Sequence, residues 1–380
     1  MFLSFLAYLA FFSIALPDSM LGVAWPSMRL DFGQSTGAAG LVPPFGVAAT
    51  LVATSLTGRL LGRLGIGRLL AASTLLSTAS LVVAATSHSF AQFLASVVLG
   101  GLSSGAIDAA LNAYAARWFG PRRINLLHAS YVVGAAASPL LVTLTIQTGL
   151  GWRWAWATVA CVQVVLAVVF LLTRNRWASG GGPQADGGRA GRLAGARPLD
   201  VGLGLLAVAV QTGIESSVAL WAFTYLTQGA GVSAVVAGTV ASGYWLAMFA
   251  GRVVLGGIAE RTGAWPVLAG AVAGLVLAAG LGLMGGPVAA PIAIGLFGLA
   301  AAPIYPLLTL TTAERTSAAA ADTVVGFQAA ASSLGAAVFP LLVGIVLDRS
   351  TADFPLAIGG LCVAAALLQV ALQVRRRRAG

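Results

Sequence analysis

The loop Gly58-Arg-Leu-Leu-Gly-Arg-Leu-Gly65 recurs later in the chain as Gly256-Gly-Ile-Ala-Glu-Arg-Thr-Gly263, at an offset of about 200 residues. Three further pairs share this offset: Asp18 with Glu215, the glycine and proline of Gly134…Pro139 with those of Gly335…Pro340, and Cys161 with Cys362. Several matches at one offset predict that the chain consists of two related halves.

The composition places both halves in a membrane. Of the 380 residues, 58% are hydrophobic and only 8% are charged, and the mean hydropathy is +0.93. Soluble domains carry about 25% charged residues, so we expect an integral membrane protein. The net charge of +10 comes from arginines scattered between apolar stretches. It therefore favours a bilayer surface as the partner and not a nucleic acid.

At about 20 residues per membrane crossing, the apolar stretches predict twelve transmembrane helices and an all-α fold. We place them near residues 2–26, 37–60, 68–87, 90–114, 125–149, 152–173, 200–227, 233–257, 265–285, 288–312, 322–347 and 354–374.

A Gly-, Pro- and Arg-rich stretch separates the sixth span from the seventh. Such a composition cannot bury a core and is typical of a linker. The predicted domains are an N-terminal six-helix bundle (1–174), a cytoplasmic linker (175–199), a C-terminal six-helix bundle (200–374) and a basic cytoplasmic tail (375–380).

The arginines also predict the orientation of the chain. Of the 21 basic residues, only Arg29, Arg153 and Arg349 fall on one side of the predicted bilayer; Arg252 is among those that we assign to loops on the other side. By the positive-inside rule, both termini are cytoplasmic, and the protein is a multi-pass protein of the cell membrane.

Three carboxylic acids fall inside these spans: Asp18 in the first, Asp108 in the fourth and Glu215 in the seventh. An ionised side chain at such a depth costs about 2.5–3.5 kcal/mol, so a functional role is favoured over accident. We expect these three to take up and release the coupling proton, with no other cofactor and no metal.

The alternative for Asp108 is a hydrogen bond to Asn112, which lies one turn away on the same helix face, or to a neighbouring helix. The alternative for Glu215 is a hydrogen bond from Ser216, Gln211 or a backbone group. Asp18 follows Pro17 and fits a place near the outer opening equally well.

The repeated loop resembles the signature of the major facilitator superfamily between helices 2 and 3, Gly-x-Leu-x-Asp-Arg-x-Gly-Arg. The second copy has Glu260 at the acidic position, whereas the first copy has Gly62 there. The resemblance implies alternating access around a site near the bilayer midplane between two pseudo-symmetric six-helix halves. It also implies a gating role for the loop residues Arg63, Glu260 and Arg261.

Within that superfamily, Gly105-Ala-Ile-Asp-Ala-Ala-Leu-Asn112 resembles the helix 4 pattern Gly-x-x-Glu-x-x-x-Asn of the fucose:proton symporter group. The stretch Ile124-Asn-Leu-Leu-His-Ala-Ser-Tyr131 resembles the group's helix 5 pattern. The resemblance implies a proton-coupled sugar symporter with Asp108 as the proton carrier and with His128 and Tyr131 at sugar-binding positions.

A neutral sugar also needs uncharged donors and acceptors and a flat apolar surface. The spans offer Asn112, His128, Tyr131, Gln211, Trp221, Tyr244, Trp245, Tyr305 and Gln328 as candidate substrate-binding residues. Taken singly, each of these side chains also fits a role in helix packing.

The leading prediction is a secondary active transporter that carries a small neutral polar solute, a monosaccharide above all, by proton symport as a functional monomer. The alternative is a proton antiporter that exports amphipathic compounds, because Gly134-Ala-Ala-Ala-Ser-Pro139 partly resembles a helix 5 motif of such antiporters. A third hypothesis, a membrane sensor or scaffold that does not transport, is disfavoured because it predicts a soluble signalling domain, and the only segment of any length outside the predicted spans is the short Gly-rich linker. An enzyme is disfavoured because the chain has only 2 histidines and no metal-binding spacing.

Overall fold

The computed structural model describes residues 2–177, 196–317 and 319–379. Within these residues the structure is helical, without β-strands. The chain divides into an N-terminal unit, Met1–Gly187, and a C-terminal unit, Gly188–Gly380. Most of the predicted linker, residues 178–195, lies outside the described residues.

The N-terminal unit contains six long helices: α1 (Phe2–Asp31), α2 (Val42–Leu64), α3 (Ile66–Ala85), α4 (Phe90–Trp118), α5 (Pro121–Gln147) and α6 (Trp152–Thr173). The C-terminal unit contains α7 (Pro198–Thr224), α8 (Ala234–Thr262), α9 (Ala264–Leu283), α10 (Gly286–Ala301), α11 (Ile304–Leu310), α12 (Thr312–Arg315), α13 (Ala321–Leu347) and α14 (Phe354–Ala379). A π-helical turn, Tyr225–Gly229, extends α7.

Twelve helical segments in the described part of the chain are long and apolar enough to cross a membrane, which confirms the predicted number. The tenth segment, Gly286–Leu310, consists of α10 and α11. It is interrupted at Pro303, whose ring nitrogen has no hydrogen to donate to the helix. Many large apolar side chains on the outside of both units are exposed, as is required of surfaces in contact with lipid tails.

Each unit pairs its helices in the same way. In the N-terminal unit α1 packs along α5, α2 along α4, and α3 along α6; in the C-terminal unit α7 packs along α13, α8 along α10, and α9 along α14. The paired glycines of the repeat lie at equivalent contacts. A Cβ on Gly134 would lie 3.1 Å from Ala15 Cβ of α1, and one on Gly335 would lie 2.9 Å from Ala209 Cα of α7.

The repeated loop also builds the same turn twice. Gly65 ends α2 with φ +72° and Gly263 ends α8 with φ +90°. Their backbone N–H groups donate to Leu61 O and Ala259 O, at 3.0 and 2.9 Å. Because residues with a side chain seldom adopt this left-handed conformation, glycine at the end of each copy reflects the turn between two helices.

Candidate functional site

In the N-terminal unit, a hydrogen bond between Asp18 and Tyr131 joins α1 to α5. Asp18 Oδ2 accepts a 2.7 Å hydrogen bond from the Tyr131 hydroxyl group. Asp18 lies within the span Phe2–Asp31, and its side chain is exposed. The structure thus brings together a residue predicted for proton coupling and one predicted for substrate binding.

The second polar contact of this unit lies on α4. Asn112 Nδ2 donates to Asp108 Oδ1 at 3.0 Å, the hydrogen bond expected for side chains one turn apart. His128 of α5 lies within electrostatic range of Asp108. The His128 ring packs edge-to-face on Phe11 of α1, with 5.6 Å between the ring centroids.

Helix α5 connects the two contacts. His128 and Tyr131 are three residues apart and so face the same side of the helix, His128 towards Asp108 and Tyr131 towards Asp18. The five residues predicted on α1, α4 and α5 therefore form one polar cluster, Asp18, Asp108, Asn112, His128 and Tyr131, which we call the acidic cluster. The groups that donate hydrogen bonds to its carboxylates, the Tyr131 hydroxyl and the Asn112 amide, are uncharged.

The C-terminal unit holds its intramembrane carboxylate differently. Arg252 Nη2 of α8 lies 3.6 Å from Glu215 Oε1 of α7. On the same pair of helices, the Tyr244 hydroxyl group donates to the backbone oxygen of Glu215 at 3.1 Å. Trp245 is half-buried, and its ring contacts that of Tyr244 edge-to-face at 5.5 Å.

Arg252 is the residue of this site that the sequence-based assignment missed, and its placement in a loop was wrong. The structure puts it inside α8, ten residues before the final Thr262, or about 15 Å at 1.5 Å per residue. Our predicted span 233–257 already contained it. An arginine inside an apolar span is the sequence feature that could have identified this residue. We assigned it to the loop because it lies only four residues before the repeated loop begins at Gly256.

The remaining predicted substrate residues make their contacts within the C-terminal unit. Gln211 Nε2 donates to Ala301 O at 3.0 Å, and Trp221 Nε1 donates to Pro340 O at 2.9 Å. Gln328 Oε1 accepts from the Thr312 hydroxyl group at 3.1 Å. All three side chains are buried, whereas Tyr305 is half-buried. The structure does not connect Trp221, Gln328 or Tyr305 to Glu215.

The predicted gating residues Arg63, Glu260 and Arg261 are exposed at the ends of α2 and α8. None of them forms an ion pair with another residue that the structure describes.

A separate ionic network lies near the ends of the C-terminal helices. Arg375 pairs with Asp200, and Arg376 with Glu314 at 3.6 Å. Arg315 is buried beside them; burial lowers the pKa of its guanidinium group to about 10, against the opposing effect of Glu314 and Asp200.

None of these polar groups lines the apolar cavity of about 470 Å³ between α2 and α4. It is lined by Pro44, Phe45, Ala48, Ala49 and Val52 of α2 and by Val98 and Leu102 of α4. These side chains offer no hydrogen-bonding group to a polar solute, so the cavity does not add to the candidate site.

Two units with the same helix pairing, twelve segments able to cross a membrane and ionisable side chains inside those segments define the class of a multi-pass membrane transporter. The sequence matches the family described as Major Facilitator Superfamily over residues 7–340. The chain belongs to this superfamily. No curated protein sequence is significantly similar to it.

Solved structures with the same fold include three transporters. A variant of the nucleoside transporter NupG has a TM-score of 0.82 at 15% identity, over 97% of this chain and 98% of that chain. A variant of the peptide transporter POT has a TM-score of 0.80 at 14% identity, over 99% and 94% of the two chains. A bacterial homologue of the human lysosomal transporter Spinster has a TM-score of 0.74 at 15% identity, over 99% and 95%. At these identities the similarity shows the fold alone.

Proposed function

We propose that this transporter is a symporter that moves a small polar solute together with protons, with a monosaccharide as the solute that the α4 and α5 sequence patterns favour. The observation that carries the proposal is the acidic cluster. Asp18 and Asp108 lie inside membrane spans, yet both side chains are exposed. Their exposure makes them accessible to a proton and to a solute.

The cluster has the chemistry that coupling requires. An ionised carboxylate inside a bilayer is costly, and protonation removes that cost. Tyr131 and Asn112 donate to Asp18 and Asp108 in their ionised form, and a protonated carboxyl group can itself donate to a neighbouring acceptor. The cluster can therefore exist with or without its protons, and the hydroxyl groups of a sugar supply both donors and acceptors for either form.

The first test replaces Asp108 with Asn, which preserves the side-chain shape but removes the ionisable group. In cells that express the protein, addition of a transported sugar to a lightly buffered, de-energised suspension should make the medium more alkaline. Asp108→Asn should abolish this proton uptake and reduce sugar accumulation to simple equilibration. The exposed Asp322 in the first turn of α13 supplies the control variant Asp322→Asn, which should behave as the parent protein does.

Undiminished proton uptake by Asp108→Asn would refute the role of Asp108. Protection of cells against amphipathic drugs, without any solute-driven proton uptake, would support the antiporter alternative. The structure gives no added weight to that alternative. Gly134, on whose motif it rested, packs against α1 as Gly335 of the other unit packs against α7, so helix packing accounts for the pattern.

The proposal also includes the orientation of the protein in the membrane, its cofactors and its association state. The distribution of arginines supports cytoplasmic termini in the cell membrane, and the protein needs no cofactor besides the proton. We propose that one chain suffices for transport. A labelling experiment with a membrane-impermeant thiol reagent, on cysteines introduced near residue 3 and residue 376, should modify neither site in intact cells and both in opened vesicles.

A further inference from the structure

The ion pair of the C-terminal unit lies well inside the membrane spans. Glu215 stands near the middle of the span Pro198–Gly229, and Arg252 lies in the span Ala234–Thr262. The Arg252 side chain is 45% exposed and that of Glu215 is 19% exposed. A guanidinium group at such a depth is costly unless it is paired, and those found there commonly serve a pathway for ions or substrates.

Arg252 has hydrogen-bonding capacity that its protein contacts do not use. A guanidinium group carries five N–H donors. Among the described residues, its contacts are the 3.6 Å approach to Glu215 and a 3.5 Å contact from Nη2 to the sulfur of Met248. The first is longer than a normal charge-assisted hydrogen bond, and the second acceptor is weak. The group that would use these donors best is a planar anion, because its two oxygens can accept from the guanidinium fork in parallel.

The position of Arg252 is fixed by the backbone beside it. A Cβ on the preceding Gly251 would lie 2.6 Å from Leu299 O of α10 and 2.7 Å from Ala302 Cβ. At this point α8 is therefore packed against the tenth span with no room for a side chain. Such close packing fixes the backbone from which the Arg252 side chain extends towards Glu215.

We propose that Arg252 binds the carboxylate of the transported solute and that Glu215 occupies Arg252 only until the solute arrives. This inference rests on the proposed proton symport and deepens it by naming the solute class, a small hydroxylated monocarboxylate such as a sugar acid. The expectation of a neutral sugar was made without Arg252 in the site.

The exchange conserves charge. In the resting pair, a carboxylate and a guanidinium group sum to zero. When the solute arrives as RCOO⁻, one proton binds to a Glu215 carboxyl oxygen, and Glu215 leaves Arg252 as a neutral acid. The guanidinium group then pairs with the solute, so the sum is again zero. No covalent bond changes apart from the new O–H bond. Because neither the proton nor the anion can bind alone without leaving an uncompensated charge inside the membrane, binding of the one requires the other.

Among the described residues of the C-terminal unit, Arg252 is the only group that forms an ion pair with Glu215. Helix α8 contributes Arg252 and Tyr244, and α10 has no ionisable residue. The acidic residue of α13, Asp322, lies in its first turn, and the arginines of α14 lie near its end. Asp200 stands about 22 Å before Glu215 along α7.

The test uses pairs of solutes that differ in the carboxylate: galactose with galacturonate, glucose with glucuronate, and glycerol with glycerate. Binding to the purified full-length protein is followed by tryptophan fluorescence, and proton uptake is followed in de-energised cells. We expect binding and proton uptake with the acid of at least one pair and not with its neutral partner. Arg252→Gln should weaken binding of that acid at least about tenfold, and Arg252→Lys should retain part of the affinity.

The variant Glu215→Gln tests whether Glu215 competes with the solute for Arg252 or only stabilises the fold. Its Arg252 has no competing carboxylate, so the affinity for the acid should depend less steeply on pH between about 5 and 8 than that of the parent protein, whose binding should weaken as pH rises. The acidic cluster then remains as the source of the residual pH dependence. A loss of folding alone would not produce this flattened profile.

Three results would overturn the inference: proton uptake with the neutral sugars and not with the acids, unchanged binding of the acid by Arg252→Gln, or no response to any acid. The first of these would leave proton symport in place. Conversely, acid binding that depends on Arg252 but brings no proton uptake would support the carboxylate site and refute proton coupling.

Discussion

The intramembrane carboxylates of α1 and α7, the first helices of the two units, are held by different chemistry. In the N-terminal unit, Asp18 accepts from the Tyr131 hydroxyl group across the α1–α5 contact, and Asp108 accepts from the Asn112 amide. In the C-terminal unit, Glu215 faces the guanidinium group of Arg252. The arrangement of helices is the same, but one unit has neutral donors and the other has a permanent positive charge.

This difference has a consequence for charge. A carboxylate with neutral partners changes the net charge of its unit each time it binds a proton. The Glu215–Arg252 pair is neutral as it stands, and it remains neutral on protonation only if another anion takes the place of Glu215. The same scaffold thus provides one unit that can respond to the proton alone and one unit that responds to the proton and an anion together.

The largest expected effect tests what the two units share. Gly134→Leu and Gly335→Leu each place a side chain against the backbone of the facing helix, at Phe12 and Ala209 respectively. Backbone atoms within a helix cannot shift easily to make room. Each should lower the free energy of unfolding by about 3 kcal/mol or more, measured by thermal unfolding in detergent. Gly280→Leu is the matched control, since nothing lies within 4 Å of a Cβ there. A large loss in only one unit would show that the two helix pairs are not equivalent.

The next effect tests what differs between the units. Glu215→Gln leaves Arg252 without its counter-charge and should cost about 2–3 kcal/mol, less than for a fully buried pair because Arg252 is partly exposed. The double variant Glu215→Gln with Arg252→Gln removes both charges and should recover most of that stability. In the N-terminal unit, Asp108→Asn should cost less than 1 kcal/mol, because the new amide oxygen can still accept the hydrogen bond from Asn112. Equal losses from the single and double variants would mean that the pair does not stabilise the unit.

Sequence reasoning could predict the features that depend on composition along the chain. The twelve spans follow from apolar stretches of sufficient length, and the equivalence of the units follows from the repeated loop, because Gly65 and Gly263 adopt the same left-handed turn. The intramembrane carboxylates could also be predicted, because each is an acidic residue within an apolar stretch of the sequence.

The partners of these carboxylates could not be predicted, because they depend on contacts between distant segments. Asp18 and Tyr131 are separated by 113 residues. Helix α8 has 29 residues, more than the 20 or so that cross a bilayer, so its sequence does not show how deep Arg252 lies. Trp221 and Gln211 carry the polar groups expected of a binding site, but these groups donate hydrogen bonds to backbone carbonyl oxygens within the unit.

A smaller effect compares the tyrosines of the two units. The Tyr131 hydroxyl group donates to a carboxylate, whereas that of Tyr244 donates to the backbone oxygen of Glu215. Hydrogen bonds to charged groups contribute more, so Tyr131→Phe should cost about 1.5 kcal/mol and Tyr244→Phe about 1 kcal/mol. Tyr131→Phe should also slow transport, since Asp18 belongs to the acidic cluster, and uptake rates measure this. A larger loss from Tyr244→Phe would reverse the ranking of the two sites.

The smallest effect concerns an ion pair between Glu314, which follows the tenth span, and Arg376 at the end of the twelfth. Glu314 accepts a 2.8 Å hydrogen bond from Trp265 Nε1 and lies 3.6 Å from Arg376 Nε, whose guanidinium group stacks 4.8 Å from the centroid of the Trp265 ring. Because Glu314 and Arg376 are about half exposed, water and salt screen their attraction, and Glu314→Gln should cost at most about 1 kcal/mol. An amide oxygen can still accept from Trp265, and the stacking of Arg376 does not need the charge of Glu314. The loss should disappear in 1 M salt, where screening acts within about 3 Å, whereas the loss from Glu215→Gln should persist there. If both losses respond equally to salt, the Glu215–Arg252 pair is as accessible to ions as a surface pair, and the contrast between a membrane-embedded ion pair and neutral donors no longer distinguishes the two units.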